Sequence, residues 1–127
     1  MSQNSKELGY LAENIAARYL ISQGYNILER NYRKPWGEID LIVSRDKNLF
    51  FIEVKANHVS YRGDFNPEVR VNPRKVSKII KTARLYLNQE HKISESPWQI
   101  DIISVTFDDL NKKAKLKHFK NISGDRF

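Results

Sequence analysis

The sequence predicts a mixed α/β domain in which helices flank a β-sheet. Two stretches place apolar residues at helical spacing, five others are rich in β-branched and aromatic residues, and the order of these elements is α-β-β-β-α-β-β. The chain has 127 residues, an ordinary length for one domain, and contains neither an internal repeat nor a linker rich in Gly and Pro. We therefore expect a single domain over residues 1–127, with its core at about 5–120.

The first predicted element is a helix over residues 5–23, where apolar side chains recur three and four positions apart. Asn4 or Ser5 can cap its first turn, because a short polar side chain can accept hydrogen bonds from the free N–H groups there. Gly24 can end the helix, since glycine adopts the left-handed conformation without strain.

Five strands are predicted from runs of β-branched and aromatic residues bounded by turn signals. They span Tyr25–Tyr32, Glu38–Ser44, Asn48–Ala56, Gln99–Phe107 and Lys115–Phe119. Residues 57–71 lack periodicity and are predicted to form a long loop. Asn72 and Pro73 then have the pattern of an N-cap and a first helical position, so a second helix is predicted to run to about Asn88.

The composition of the chain predicts its cellular location and the chemical class of its binding partner. A net charge of +7, from 22 Lys and Arg against 15 Asp and Glu, suits a nucleic-acid partner, while a basic surface that only aids solubility is the alternative. The absence of Cys excludes disulfides, thiolate zinc sites and a Cys nucleophile. Residues 1–7 are polar and no apolar run is long enough to span a bilayer. We expect a soluble cytoplasmic protein without a membrane partner.

Two carboxylates and a lysine are predicted to share one face of the hairpin formed by the second and third strands. A two-residue turn at residues 46–47 sets a register in which Asp40 lies opposite Glu53, with Cβ atoms about 5 Å apart. Lys55 lies two residues beyond Glu53 and therefore points to the same face. The opposite face is expected to carry the apolar side chains of Ile39, Leu41 and Val43.

This arrangement suits a divalent metal ion, because two close carboxylates repel each other unless a cation lies between them. Asp40 and Glu53 could hold Mg²⁺ or Mn²⁺, and Mg²⁺ typically takes one or two protein carboxylates together with waters and phosphate oxygens. The ammonium of Lys55 could orient a water or stabilise charge on a phosphate. The alternative is a cross-strand cluster of salt bridges on a solvated sheet face.

The spacing from Asp40 to the tripeptide Glu53-Val54-Lys55 matches the PD-(D/E)XK nuclease motif, and the wider pattern resembles the bacterial YraN family. The resemblance extends from about Leu8 to Phe107. Matching segments include Gly24-Tyr25, Arg30-Asn31-Tyr32, Gly37-Glu38-Ile39-Asp40-Leu41-Ile42 and Pro73-Arg74-Lys75. The resemblance implies a restriction endonuclease-like fold of the Holliday junction resolvase-like superfamily. It also implies catalytic roles for Asp40, Glu53 and Lys55, with the two carboxylates as metal ligands.

The resemblance further implies that Glu13, on the first helix, joins the catalytic group, as a helix glutamate does in resolvase-like relatives. Glu13 lies at the border of the apolar stripe of that helix, so its carboxylate could reach the edge of the sheet. A plain solvated position is the alternative. Resolvase-like relatives act as dimers, which implies a homodimer by analogy.

Basic residues on the second helix are candidates for binding nucleic acid. Four of them lie away from its apolar side: Arg74, Lys75, Lys78 and Lys81. Such a face can contact phosphates, or it can simply be solvated. The preceding loop adds Arg62, next to Tyr61 and near Phe65, whose rings suit either stacking on unpaired bases or packing over the core.

Three further residues are assigned structural roles. Trp36 and Trp98 are expected to pack at the core or its edge rather than to stack on bases. Asp101 alternates with apolar neighbours on its strand, and a hydrogen-bonding role at the edge of that strand is expected rather than a place in the site.

These observations predict an endonuclease dependent on Mg²⁺ or Mn²⁺ that acts on DNA in preference to RNA, with branched or damaged DNA as candidate substrates. The alternative is a non-catalytic nucleic-acid-binding module on a nuclease scaffold, since fold alone does not decide function. The complete set of Asp40, Glu53 and Lys55 favours the enzyme, because a site that has lost its catalytic activity has no physical reason to keep adjacent carboxylates.

Overall fold

The computed structural model describes residues 5–59, 72–89 and 96–122. Its elements are α1 (Ser5–Ser22), β1 (Asn26–Lys34), β2 (Gly37–Arg45), β3 (Asn48–His58), α2 (Pro73–Gln89), β4 (Trp98–Asp108) and β5 (Lys113–Phe119). The predicted α/β class and element order are confirmed, and no predicted boundary differs from the structure by more than two residues. No helix in these ranges is long and apolar enough to cross a membrane.

The five strands form one mixed sheet in the order β1-β2-β3-β4-β5. Neighbouring strands are antiparallel except for β3 and β4, which are parallel. Parallel neighbours cannot be joined by a tight hairpin, so the chain crosses over between them, and α2 lies in this crossover. A mixed sheet with this topology and flanking helices is the restriction endonuclease-like arrangement that the motifs imply.

The hairpin of β2 and β3 has the predicted turn and register. Asp46 and Lys47 form the turn, and both have positive φ angles, 52° and 67°. Two such residues in sequence make the type I′ turn that matches the twist of a tight hairpin. The paired register runs from this turn as far as Leu41 opposite Ile52. Both predictions are therefore confirmed over this part of the hairpin.

The helix α1 ends at the predicted glycine. Gly24 has a φ of 90°. Its N–H donates to the carbonyl of Ile21, and the N–H of Tyr25 donates to the carbonyl of Leu20, both at 3.0 Å. These two hydrogen bonds form a Schellman motif, which turns the chain out of the helix and into β1. Of the two residues predicted to cap α1, Asn4 lies outside the described residues and Ser5 is the first residue of the helix.

Each face of the sheet buries a hydrophobic cluster beneath one helix. The cluster beneath α1 includes Ala12, Ala16, Leu20, Leu41, Val43, Phe50, Ile52, Ile103 and Val105. The cluster beneath α2 includes Ile39, Ile42, Phe51, Ile79, Ala83, Tyr86, Leu87 and Ile100. The side chains of β2 and β3 divide between the two clusters because successive residues of a strand point to opposite faces.

One predicted facing is wrong. Strand alternation predicts Ile39 beside Leu41 and Val43, but Ile39 packs beneath α2 while the other two pack beneath α1. The alternation is interrupted between Ile39 and Leu41, where the pairing of β2 with β3 has ended and β2 continues only against β1. Where β2 pairs with β1 alone, Asn31 of β1 adopts a positive φ of 53°. Asp40 lies at this break in the regular sheet.

Candidate active site

Asp40 occupies the point where β2 and β3 separate. Its Oδ2 accepts a hydrogen bond of 2.7 Å from the backbone N–H of Val54, which lies beyond the last residue pair of the two strands. A backbone donor that the sheet leaves open is thereby satisfied by a side chain. The same hydrogen bond holds the Asp40 carboxylate against β3, the strand that carries Glu53.

Asp40 and Glu53 line one cavity of about 540 Å³. Glu38 of β2 lines it as well, and α2 contributes basic side chains from its first turns: Arg74, Lys75 and Lys78. The sheet therefore supplies carboxylates to this cavity and the helix supplies cations. Such a cavity can receive a metal ion on one side and a phosphate group on the other.

The start of α2 is fixed by its predicted cap, which is confirmed. Asn72 Oδ1 accepts hydrogen bonds from the backbone N–H groups of Arg74 at 3.0 Å and Lys75 at 3.4 Å. This cap orients the first turn, and the ammonium of Lys75 forms an ion pair with Oε1 of Glu53. The Glu53 side chain is 11% exposed, whereas that of Lys75 is 55% exposed.

Asp40 is a largely buried carboxylate with other carboxylates nearby. Burial raises the pKa of Asp40 to about 7, although its hydrogen bond from the backbone acts in the opposite direction. Nearby carboxylates raise this pKa further, and they are Glu13, Glu53 and Glu38. For Lys75, burial alone would lower the pKa, but the hydrogen bond to Glu53 and the surrounding carboxylates together raise it.

Glu13 approaches this region from α1. Its side chain is 15% exposed, and Arg30 Nη2 lies 3.9 Å from its Oε1. That oxygen is buried and has no hydrogen-bond partner among the described residues. Burial raises the pKa of Glu13, against the hydrogen bond from Asn31 and the charge of Arg30. Glu13 is therefore a largely buried carboxylate that interacts electrostatically with Asp40, not a solvated helix residue.

Lys55 is not brought into the cavity with the two carboxylates. It is half-buried on β3, opposite Ser104 of β4, and does not belong to the described residues that line the cavity. Asp40 and Glu53 thus line the same cavity, but the lysine in contact with Glu53 is Lys75 of α2. Sequence spacing gave no signal for this contact, because it depends on how α2 packs against the sheet.

Lys81 and Arg62 are the two remaining candidates for nucleic-acid binding. The ammonium of Lys81 lies 4.2 Å from the ring centroid of Trp36, and the indole N–H of Trp36 donates to Thr82 Oγ1 at 2.9 Å. These contacts agree with the packing role predicted for Trp36 and hold the β1–β2 turn against α2. Arg62, with its aromatic neighbours, lies outside the described residues.

Asp101 has the predicted hydrogen-bonding role but not the predicted place, because β4 is an interior strand rather than an edge. Its side chain is fully buried and accepts hydrogen bonds from Gln99 Nε2 at 2.8 Å and from the backbone N–H of Asn121 at 2.9 Å. His118 Nε2 lies 2.8 Å from its other oxygen, and Nδ1 of the same ring lies 2.9 Å from the hydroxyl of Tyr19. This buried network joins α1, β4 and β5 and is separate from the cavity.

A divalent ion fits the carboxylates of the cavity. Within residues 5–59, 72–89 and 96–122, no group of three or more His, Asp or Glu side chains is placed to hold a metal. Mg²⁺ does not require such a group, because it typically takes one or two carboxylates and completes its shell with water and phosphate oxygens. Asp40 and Glu53 match that set of ligands. Burial first and the neighbouring carboxylates second raise the pKa of Asp40, and the negative charge of those carboxylates favours a cation beside it.

The fold and this cavity define the class of protein: a restriction endonuclease-like α/β domain. The chain belongs to the uncharacterised protein family UPF0102, whose model matches residues 12–105, and this is the YraN family that its motifs resemble. A relative from Campylobacter hominis is 38% identical over 123 residues, which cover 97% of this chain and 99% of the relative. A relative from Clostridium botulinum is 41% identical over 118 residues, which cover 92% of this chain and 94% of the relative.

Among solved structures, that of Pyrococcus furiosus SfsA in complex with Ca²⁺ is similar with a TM-score of 0.44 and 18% identity. The matched region covers 92% of this chain and 64% of SfsA. This chain therefore spans less than two thirds of the length of SfsA, and the assignment of its fold rests on its own topology.

Proposed function

We propose that the protein is an endonuclease dependent on Mg²⁺ or Mn²⁺ that hydrolyses phosphodiester bonds of DNA. The observation that carries the proposal is the cavity in which Asp40 and Glu53 face the basic first turns of α2. Carboxylates suit a divalent ion and basic side chains suit a phosphodiester, so one cavity fits both. DNA in preference to RNA, and branched or damaged DNA in particular, follows from the resemblance to resolvases.

In this proposal Asp40 and Glu53 hold the ion through carboxylate oxygens. Such an ion, when held there, would supply the activation of a water and the neutralisation of charge on the phosphate. The Val54 N–H fixes the orientation of Asp40, and the charge of Glu13 favours a cation beside it. Lys55 remains a proposed catalytic residue because it lies two positions beyond Glu53 on β3, as the motif requires.

The basic residues of α2 form the proposed nucleic-acid surface. Arg74 and Lys78 are exposed at the cavity, and Lys81 follows on the next turn. Phosphates bound along this helix would lead a strand toward the carboxylates, and the net charge of +7 would assist its approach. A homodimer, proposed by analogy with resolvases, would present two such cavities to the two strands of a duplex.

The second candidate function is a nucleic-acid-binding module without catalysis. Two observations favour it: Lys75 pairs with one of the two proposed metal ligands, and Lys55 is not among the described residues that line the cavity. A binding module would retain the basic surface of α2 and its affinity for phosphates without needing the carboxylates.

A cleavage assay separates the two functions. Wild type, Asp40→Asn and Lys55→Ala are incubated with single-stranded, duplex and branched DNA and with RNA, in Mn²⁺ and in EDTA. We expect cleavage only with metal, and a loss of about 10³-fold or more in Asp40→Asn, because the variant loses an ionised metal ligand while its packing is preserved. Asp46→Asn is the matched control, since it makes the same change at the exposed turn of the hairpin.

Full cleavage by Asp40→Asn would rule out Asp40 as a metal ligand. If the wild type cleaves none of the substrates but binds DNA with strong salt dependence, the protein is a binding module and not an endonuclease. Binding in EDTA should be intact or slightly stronger in Asp40→Asn, because the variant removes a negative charge near the bound phosphates.

A further inference from the structure

The ion pair between Lys75 and Glu53 joins the helix to the proposed metal site. Oε1 of Glu53 is in contact with the Lys75 ammonium, and the Glu53 side chain is only 11% exposed. A carboxylate so shielded from water needs a cationic partner or hydrogen-bond donors. Lys75 supplies that partner from within the chain, on the carboxylate that the proposed metal ion would also use.

The backbone of Lys75 is fixed, but its side chain can move. Asn72 caps the turn in which Lys75 lies, and Ile79 and Ala83 anchor the same helix in the buried cluster beneath it. The Lys75 side chain is 55% exposed and has a flexible four-carbon stem. A change of rotamer can therefore move the ammonium away from Glu53 without moving α2.

We propose that Lys75 is a built-in counter-ion of the metal site, whose ammonium pairs with Glu53 until a divalent cation binds there and then turns to the phosphate of the substrate. This inference rests on the proposed metal site at Asp40 and Glu53. The exchange follows because both cations would share one carboxylate, and an ammonium within about 4–6 Å of a divalent ion is repelled by it.

The exchange would couple the metal to the substrate. Once displaced, Lys75 still lines the cavity with Arg74 and Lys78, so its ammonium would become a third cation available to a phosphate. A phosphate that attracts Lys75 would in turn leave Glu53 available to the ion. Because such coupling is reciprocal, substrate and metal would each increase the affinity for the other.

Calorimetric titration with Mn²⁺, in the absence of nucleic acid, tests the competition. Lys75→Met removes the ammonium and keeps most of the apolar stem, Lys75→Arg keeps the charge, and Lys78→Met makes the matched change one turn further along the same cavity. We expect Lys75→Met to bind Mn²⁺ about 10-fold more tightly than the wild type, within the usual range for coupled sites. Lys75→Arg should remain near the wild type, and Lys78→Met should change by less than about 3-fold.

Chemical acetylation of lysines, followed by mass spectrometry, reports on the displacement itself. The rate of Lys75 acetylation should rise in saturating Mn²⁺, because the displaced amine no longer contacts Glu53. The rate for Lys78 should stay constant. In Asp40→Asn, which removes a proposed ligand, Mn²⁺ at the same concentration should leave the Lys75 rate low.

The outcomes distinguish this inference from the function on which it rests. Equal or weaker Mn²⁺ binding by Lys75→Met, with binding by the wild type, overturns the exchange and leaves the metal site standing. If neither protein binds Mn²⁺, the metal site and the exchange both fail. Binding by Lys75→Met alone supports the exchange, because it means that the ammonium holds Glu53 against the ion.

Discussion

The backbone N–H of Val54 donates a 2.7 Å hydrogen bond to Oδ2 of Asp40, two residues past the last pair that joins β3 to β2. This single donor holds the carboxylate in place but does not neutralise it. Burial and the neighbouring carboxylates outweigh the hydrogen bond, so the pKa of Asp40 is raised to about 7. The position of Asp40 therefore favours binding of a cation. Without a cation, the ionised carboxylate lowers the stability of the protein.

The first prediction is that Asp40→Asn stabilises the metal-free protein at high pH. Because the pKa of Asp40 is higher in the folded protein than its ordinary value of 3.8, folding favours its protonated form. The resulting loss of stability is absent below about pH 4, grows as the pH rises, and is complete above about pH 7. Asparagine removes this loss, so the variant should exceed the wild type in stability by up to about 4 kcal/mol at pH 8 and match it near pH 4.

Urea unfolding in EDTA at several pH values measures this difference. Asp101→Asn is the control, because it changes another buried aspartate whose oxygens accept hydrogen bonds from Gln99 and the Asn121 N–H. That variant should lose stability at pH 8. A similar loss in Asp40→Asn would mean that Asp40 is a structural carboxylate.

The second prediction concerns the salt dependence of DNA binding in EDTA. Replacing both Arg74 and Lys78 by Gln should lower the salt slope by about 2, near one unit for each lost phosphate contact. Lys75→Gln alone should change the slope by less than one such unit, because its ammonium is engaged by Glu53. Fluorescence anisotropy with a labelled duplex over a salt series provides the slopes.

The control for this measurement is a pair of lysines on the other side of the sheet. Lys6 lies on α1, and Lys112 lies beside the α1 residues Leu11 and Ile15. Changing both to Gln removes the same net charge, but we expect the slope to stay close to that of the wild type. Equal slopes for the two double variants would show that charge alone, not α2, governs binding.

The sequence predicted the fold and the turn and register of the β2–β3 hairpin, but not the contacts that depend on packing. The two-residue turn fixes the register of the hairpin as far as Leu41 opposite Ile52. Asp40 and Glu53 follow directly beyond that pair, and both line the cavity. The facing of Ile39 was mispredicted because regular alternation is interrupted around Asp40, where the pairing with β3 has ended and Asn31 of the neighbouring β1 has a positive φ of 53°. The contact of Lys75 with Glu53 depends on the position of α2 across the sheet, which no local pattern contains.

The third prediction tests how the β1–β2 turn is held against α2. Trp36→Phe and Thr82→Val each remove one partner of the 2.9 Å hydrogen bond between them. Each change should lower the free energy of unfolding, and the two should show a coupling of about 0.5–1.5 kcal/mol in a double-mutant cycle. Tyr10→Phe combined with Thr82→Val should be additive, since Tyr10 lies on α1. Additive changes in the free energy of unfolding for Trp36→Phe and Thr82→Val would mean that this hydrogen bond does not stabilise the protein.

The fourth prediction decides whether Glu13 belongs to the site. Its buried Oε1 lacks a hydrogen-bond partner among the described residues, and its charge raises the pKa of Asp40. Glu13→Gln keeps the shape of the side chain and removes this charge, so Mn²⁺ affinity should fall by about 10-fold, as when a supporting group of a metal site is lost. The metal-free variant should gain stability at pH 8, because a like charge near Asp40 disappears.

Glu29→Gln, an exposed change on β1, is the control and should alter neither the Mn²⁺ affinity nor the stability. Wild-type Mn²⁺ affinity in a folded Glu13→Gln protein would show that the carboxylate of Glu13 plays no part in holding the ion.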